Sequence, residues 1–195
     1  MEVLYRTARA EECVVLAEGI NKTAGGILDF LYHDLLPGQS TVELVAGFLA
    51  EGGRYDSYSS ITVAEHDNQV IGLVSSYPAN FHCIDPEMEA FFPKERLDAV
   101  RDFFCTRVED SYYLSAVYVD EDFRGFGIGT ELITITKKKA KALGYNVLSL
   151  LVMADNETAL KVYAKNGFKK VKHVELNPNE FIPHVGGVYL LACEI

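Results

Sequence analysis

The chain has 195 residues, of which 49% are hydrophobic and 24% are charged, and its formal net charge is −10. That length suits a single domain over residues 1–195, and the apolar content excludes an intrinsically disordered chain. The acidic excess argues against a nucleic-acid binder or a protein of anionic membrane surfaces, because both need a basic face.

The cysteines and histidines show no pattern typical of a metal site or a disulfide framework. Four cysteines (Cys13, Cys83, Cys105 and Cys193) lie far apart, and the five histidines lack the spacing of metal ligands. The N-terminal residues are charged, and no apolar run reaches the roughly 20 residues that a membrane span needs. We therefore expect a cytoplasmic protein with reduced thiols and no metal cofactor.

The first half of the chain predicts a strand, three helices and a hairpin. Alternating apolar residues indicate strands, and apolar residues at helical spacing indicate helices, with glycine and proline separating them. The predicted elements are a strand at 3–8, helices at 11–20, 27–36 and 41–49, and hairpin strands at 60–65 and 70–75.

The second half begins with an insert at about residues 79–110, in which Pro93 opens an amphipathic helix. A strand, a glycine-rich turn, a helix and a continuously apolar strand follow, which together form a βαβ crossover. The predicted elements are strands at 112–119 and 147–153, helices at 127–143 and 157–165, and closing strands at 168–175 and 187–194. The fold class is α/β, with an α+β mixed sheet around that central crossover.

The glycine-rich turn is the most informative segment. Its successive glycines allow backbone N–H groups to point into one concavity, and the following helix adds its positive end, as in phosphate sites. A Walker A loop is excluded because its lysine is missing. A dinucleotide fingerprint is excluded because Gly125, Gly127 and Gly129 are spaced by two residues. A turn that serves only tight packing remains the ordinary explanation.

Two motifs together resemble the GCN5-related N-acetyltransferase (GNAT) superfamily. The turn reads R-x-x-G-x-G from Arg124 to Gly129, which is similar to the superfamily's coenzyme A pyrophosphate loop. Downstream, Asn156, Ala159 and Tyr163 followed by Gly167-Phe168 match its N-x-x-A-x-x-x-Y…GF segment. The order of elements is similar along nearly the whole chain. The resemblance implies an acyl-CoA N-acyltransferase fold in which the fourth and fifth strands splay apart.

The resemblance also implies the chemistry. An acetyl group of acetyl-CoA passes directly to a primary amine, with Tyr163 as the general acid for the departing thiolate and no metal involved. Backbone N–H groups of the fourth strand polarise the acetyl carbonyl. The residues implied to contact the coenzyme are Val117, Tyr118, Val119, Arg124, Gly125, Phe126, Gly127, Ile128, Gly129, Thr130 and Asn156.

Several alternatives stay open from the residues alone. Asn156 suits a helix N-cap as well as a cofactor contact, and Tyr163 could be a core aromatic beside Phe168. The general base is Asp110, Glu65, His184 or a water relay. A nucleophilic cysteine, nucleotide binding at the glycine loop and a catalytically silent acyl-CoA-binding sensor or scaffold compete with the enzyme.

The acceptor is a small-molecule or peptide amine, and its charge is suggested by one segment. Residues 84–122 hold eleven acidic residues against four basic ones, which is −7 of the chain's −10. Clustered like charge beside a cleft concentrates ligands of opposite charge, so these acids favour a cationic acceptor. A solvated helix face is the ordinary explanation. The oligomeric state stays open, a homodimer included.

Overall fold

Seven strands join in one mixed sheet in the computed structural model, which describes residues 1–195. Their order across the sheet is β1-β2-β3-β4-β5-β7-β6, and every neighbouring pair is antiparallel except β4 and β5. The strands are β1 (Leu4–Thr7), β2 (Thr62–His66), β3 (Gln69–Pro78), β4 (Tyr112–Val119), β5 (Val147–Met153), β6 (Lys169–Val174) and β7 (Val188–Glu194). The mixed α/β fold with its central crossover is confirmed.

Seven helices cover the sheet: α1 (Cys13–Thr23), α2 (Ile27–Tyr32), α3 (Thr41–Ala50), α4 (Pro86–Phe91), α5 (Lys94–Phe104), α6 (Ile128–Ala142) and α7 (Glu157–Lys165). The second predicted helix was too long, because Asp34 takes a positive φ of 50°. Helix α4 was not predicted, because a segment of six residues is too short to show a helical period in the sequence. Its start is fixed by the Asp85 side chain, which accepts a hydrogen bond from the Met88 amide at 2.8 Å. None of these helices is long and apolar enough to cross a lipid bilayer.

The two faces of the sheet bury different clusters. Helix α6 packs Leu132 and Ile133 against one face, where Leu148 and Leu150 of β5 are fully buried. On the other face, Leu16 of α1 packs with α3 against β2 and β3. A third cluster joins α2, α5 and the segment between β6 and β7. Helices on both faces therefore hold the central strands in place from both sides.

Strands β4 and β5 pair only at one end. Their register joins Tyr112 to Leu148 and Tyr113 to Ser149, and beyond these two pairs the strands diverge. The Ser149 and Ser111 hydroxyl oxygens lie 2.7 Å apart in a buried hydrogen bond at this closed end. A bulge follows at once on β4, since Ser75 and Ser76 of β3 face Ala116 and Leu114 and leave Ser115 unpaired. The divergence opens a V-shaped gap between two neighbouring strands.

The turn between α1 and α2 packs directly on the loop between β6 and β7. Gly26 has a φ of +84°, and a Cβ atom there would overlap the carbonyl oxygen of Phe181. We expect Gly26→Ala to lower the free energy of unfolding by about 1–2 kcal/mol for the left-handed backbone and a further ~1–3 kcal/mol for the overlap.

Gly38→Ala is the matched control for this prediction, because Gly38 also has a positive φ, of +75°, but its Cβ would meet open space. Denaturant unfolding of both variants separates backbone strain from the overlap. Equal losses in the two variants would show that the two loops are not docked as described.

Candidate active site

A cavity of about 880 Å³ occupies the gap between β4 and β5. Its walls are the diverging strands, the turn between α1 and α2, the start of α6 and one face of α7. Beyond Tyr113 the edge of β4 that faces β5 has no strand partner, and the facing edge of β5 is equally free. The cavity is therefore lined by backbone N–H and C=O groups that can pair with an extended ligand.

The glycine-rich turn forms one end of the cavity. Gly127 is the N-cap of α6 with a φ of +83°, and Gly125, at +85°, takes the same left-handed conformation. The first N–H groups of a helix have no partner inside it, and here they follow directly on this turn. Arg124, Gly125, Gly127, Gly129 and Thr130 all line the cavity. Together they form a concave surface at a helix N-terminus, an arrangement that can hold an anion.

One face of α7 forms the opposite wall. Asn156, Ala159 and Tyr163 line the cavity together, as their spacing predicts. The Asn156 side chain also caps the helix, because its Oδ1 accepts a hydrogen bond from the Ala159 amide at 3.0 Å. The capping interpretation of Asn156 is therefore confirmed, and its contact with a cofactor stays a prediction that its place in the cavity wall allows.

Tyr163 packs against the hydrophobic core and also lines the cavity. Its ring meets Phe168 edge-on, with 5.6 Å between centroids. Burial raises the pKa of the Tyr163 hydroxyl to about 12. The phenol therefore stays protonated throughout the physiological range and can act only as a proton donor.

The charged groups of the cavity wall are all basic. Lys22, Arg124 and Lys165 line the cavity, whereas no aspartate or glutamate does. A ligand with several negative charges fits this balance.

Residues 84–122 contribute aromatic and strand residues to the cavity wall, but none of the eleven acidic side chains of this segment lines the cavity. Asp85 caps α4, Asp98 pairs with Arg101, and Glu109 pairs with Arg107 at 3.0 Å. Some of these acids are therefore used in a cap and in ion pairs, and a cationic acceptor stays a prediction.

Comparison with models of protein families identifies the family to which the chain belongs. Residues 28–168 match the family model described as the acetyltransferase (GNAT) family, which is well over half of the chain. The chain belongs to the GNAT family.

Two curated relatives carry the family name. Both are uncharacterized N-acetyltransferases, one from Methanocaldococcus jannaschii (39% identical over 59 residues) and one from Bacillus subtilis (32% over 87 residues). These matches cover 30% and 44% of this chain, and 26% and 35% of the relatives. The chain thus matches only about a quarter to a third of the curated relatives' length.

Solved structures agree along the whole GNAT fold. One described as an acetyltransferase is 27% identical with a TM-score of 0.66, covering 98% of this chain and 99% of the other. An N-acetyltransferase of Staphylococcus aureus is 23% identical with a TM-score of 0.68, covering 97% and 99%. The PaiA N-acetyltransferase of Thermoplasma acidophilum, solved with coenzyme A, is 16% identical with a TM-score of 0.59 over the full length of both.

The structure brings together all but one of the coenzyme-contact residues predicted for this GNAT chain. Val117, Tyr118 and Val119 lie on the open edge of β4, and Ile128 lies at the start of α6. Phe126 is the exception, because its side chain is 66% exposed and outside the cavity. The two flanking glycines, both with positive φ, leave that side chain in solvent, and its contact with the coenzyme stays a prediction.

The candidate general bases are separated by the fold. Glu65 is held in an ion pair with Arg6, whose guanidinium also binds Glu12, and it lies away from the cavity. Asp110 sits in the turn before β4 with a positive φ of 56° and is also outside. His184 alone of the three lines the cavity.

Sequence reasoning missed an aromatic group in the cavity wall: Tyr77, His82, Phe103, Phe104 and Tyr113. The insert supplies three of these residues, and the His82 imidazole stacks on the Tyr113 ring with 4.1 Å between centroids. Phe103 and Phe104 did appear in the amphipathic pattern of α5, but that pattern does not show which apolar residues face a cavity.

Proposed function

We propose that the protein is an N-acetyltransferase that moves the acetyl group of acetyl-CoA to a primary amine, and that residues 1–195 form one such domain. The observation that carries the proposal is the gap between β4 and β5, which ends at the glycine-rich start of α6. The open strand edges suit the amides of a pantetheine arm, and the helix end suits a pyrophosphate. The basic wall residues suit a polyanion.

The free edge of β4 beyond Ser115 supplies the electrophilic assistance. Backbone N–H groups of Val117 and its neighbours can donate to the carbonyl oxygen of a thioester seated in the gap. Donors fixed in advance stabilise the negative charge that develops on that oxygen during attack. The acceptor nitrogen then forms the new C–N bond directly, and the C–S bond breaks as the tetrahedral adduct collapses.

Tyr163 supplies the proton for the leaving group. Its hydroxyl protonates the departing thiolate, and the phenolate regains a proton from the nitrogen of the adduct. Direct transfer is favoured over an acyl-enzyme, because no cysteine lines the cavity. Cys105 is exposed and Cys83 lies in the insert, so neither contributes to the wall.

The acceptor meets an apolar wall. The aromatic group of Tyr77, His82, Phe103, Phe104 and Tyr113 lies at the closed end of the gap, near the bulge at Ser115. These side chains favour a primary amine carried on an apolar or aromatic body, whether a small molecule or a peptide.

A catalytically silent acyl-CoA-binding module is the second candidate function, and a thiol-release assay separates the two. Acetyl-CoA is offered with a panel of amines: polyamines, amino acids, aminoglycosides, aromatic amines and lysine peptides. The proposal requires amine-dependent release of coenzyme A with at least one acceptor. Tight binding of acetyl-CoA without release for any amine would favour the silent module.

Arg124 provides a modest test of how the pyrophosphate is held. Its Nε donates to the carbonyl of Val119 at 3.2 Å, and Nη1 pairs with Glu121 at 3.3 Å on an exposed surface. Because exposed charges are weak and the backbone donors remain, we expect Arg124→Ala to weaken coenzyme A binding by less than about tenfold. Calorimetric titration measures it. A much larger loss would assign the phosphate to the side chain rather than the backbone.

A further inference from the structure

His184 lies in the cavity wall, and its ring is hydrogen-bonded to Asp155, which lies behind the wall and 29 residues away in the sequence. Asp155 follows β5 directly, and His184 lies in the loop between β6 and β7. The His184 Nδ1 lies 2.8 Å from Asp155 Oδ1, and Asp155 Oδ2 accepts from the Val185 amide at 3.0 Å. Both carboxylate oxygens are therefore used to fix the loop and the ring.

This pairing determines which ring nitrogen can accept a proton. The Val185 amide and the His184 ring lower the pKa of the Asp155 carboxyl, so it is ionised and can only accept hydrogen bonds. His184 must then donate from Nδ1, which leaves Nε2 as the basic nitrogen. A Cβ on Gly25 would lie 3.2 Å from Cδ2, the ring atom bonded to Nε2. The Cδ2 side of the ring therefore packs beside the turn between α1 and α2, and both His184 and Gly25 line the cavity.

We propose that His184, oriented by Asp155, is the general base that takes a proton from the acceptor ammonium before attack. The inference rests on the proposed acetyl transfer. One proton passes from the ammonium nitrogen to Nε2, directly or through one water, and then to solvent. The free amine attacks the thioester, and Tyr163 protonates the thiolate. The products are the amide, the free thiol of coenzyme A and one released proton, so the atoms balance.

The other groups around the cavity are unsuitable as the base, which leaves His184. No carboxylate lines the cavity, and the ring is approached by the uncharged Gly25 from the turn after α1, with Asp155 as its charged partner. The other cavity histidine, His82, is 3% exposed and bonds through Nε2 to the Phe103 carbonyl. Burial lowers the pKa of His82 to about 4, which makes it a weak base.

His184→Gln tests the proposal through the pH dependence of kcat/KM, with acetyl-CoA and the best amine of the panel. Without the base, only amine already deprotonated in solution reacts. We expect kcat/KM to fall roughly 10²–10⁴-fold near pH 7, and the deficit to shrink as the pH rises toward the amine's own pKa, about 10.4 for a lysine side chain. Coenzyme A affinity should stay within about twofold of the parent.

Two further variants complete the test. His66→Gln is the matched control, because His66 lies 3.5 Å from Asp67 but outside the cavity, and it should behave as the parent. Asp155→Asn should lower kcat roughly tenfold with the amine while coenzyme A affinity stays unchanged, as expected of a positioning residue. If His184→Gln does not fold, Asp155→Asn by itself tests the proposal.

The outcomes distinguish the two proposals. A pH-dependent deficit in His184→Gln supports the base. If kcat/KM of His184→Gln is lowered by the same factor at every pH, or is not lowered at all, the assignment of His184 as the base is overturned. The proposed function is unaffected by that result as long as the parent acetylates an amine. If the parent acetylates no amine of the panel, the proposed function fails and the base assignment fails with it.

Discussion

Replacing Tyr163 by phenylalanine is expected to lower the turnover number roughly 10²–10⁴-fold, the usual contribution of a general acid. The substitution keeps the ring against Phe168 and removes only the hydroxyl, so coenzyme A affinity should hardly change. Because burial raises the pKa of Tyr163 to about 12, the acid should stay protonated and no alkaline loss of activity should arise from it near pH 9.

Thiol release under saturating acetyl-CoA and amine measures this effect. Tyr145→Phe is the matched control, since Tyr145 packs on Tyr112 with 5.3 Å between ring centroids and lies outside the cavity. The control should retain the parent's turnover. A turnover number that is unchanged in Tyr163→Phe would assign the proton to water or show that another step limits the rate.

Gly127→Val is expected to weaken coenzyme A binding by roughly 100-fold or more. A β-branched residue at a φ of +83° is strained by about 1–3 kcal/mol, and relief of that strain moves the N–H groups at the start of α6. No atom outside the adjoining chain lies within 4 Å of the added Cβ, so the loss should come from the backbone and not from a clash of the side chain with the protein.

Gly144→Val is the control for this variant. Gly144 follows the other end of α6 with a φ of +89°, and its Cβ would also meet open space away from the cavity. Both variants should lose similar stability, but only Gly127→Val should lose coenzyme A in calorimetry. Equal affinities in the two variants would mean that the glycine-rich turn does not hold the coenzyme.

Much of this fold could be predicted because its central elements are long and locally consistent. Strands β4 and β5 and helix α7 begin and end where the sequence patterns indicate, since continuous apolar runs and a capping Asn156 mark their limits. The hairpin of β2 and β3 was also predicted, but its connection is shorter than the predicted residues 66–69, because Asp67 and Asn68 alone form the turn, with positive φ.

The parts that escaped prediction depend on contacts between distant segments. The divergence of β4 from β5 was predicted from the family resemblance but not from the residues, since no periodicity records that the parallel pairing stops after Tyr113. The hydrogen bond from His184 to Asp155 joins two loops, so neither residue's neighbours in sequence reveal it. Likewise, the sequence left open whether the clustered acids between residues 84 and 122 lie beside the cleft or on a solvated face, and in the structure none of them lines the cavity.

A single-turnover reaction with acetyl-labelled acetyl-CoA distinguishes direct transfer to the amine from transfer through an acyl-enzyme and from binding without reaction. The enzyme is mixed with labelled acetyl-CoA and an amine identified in the panel, quenched over time, and the label is followed by mass spectrometry on protein, thioester and amine. Direct transfer predicts that label leaves the thioester and appears on the amine at the same rate, with none on the protein. Label that accumulates on the protein, or that never leaves the thioester, would contradict this account.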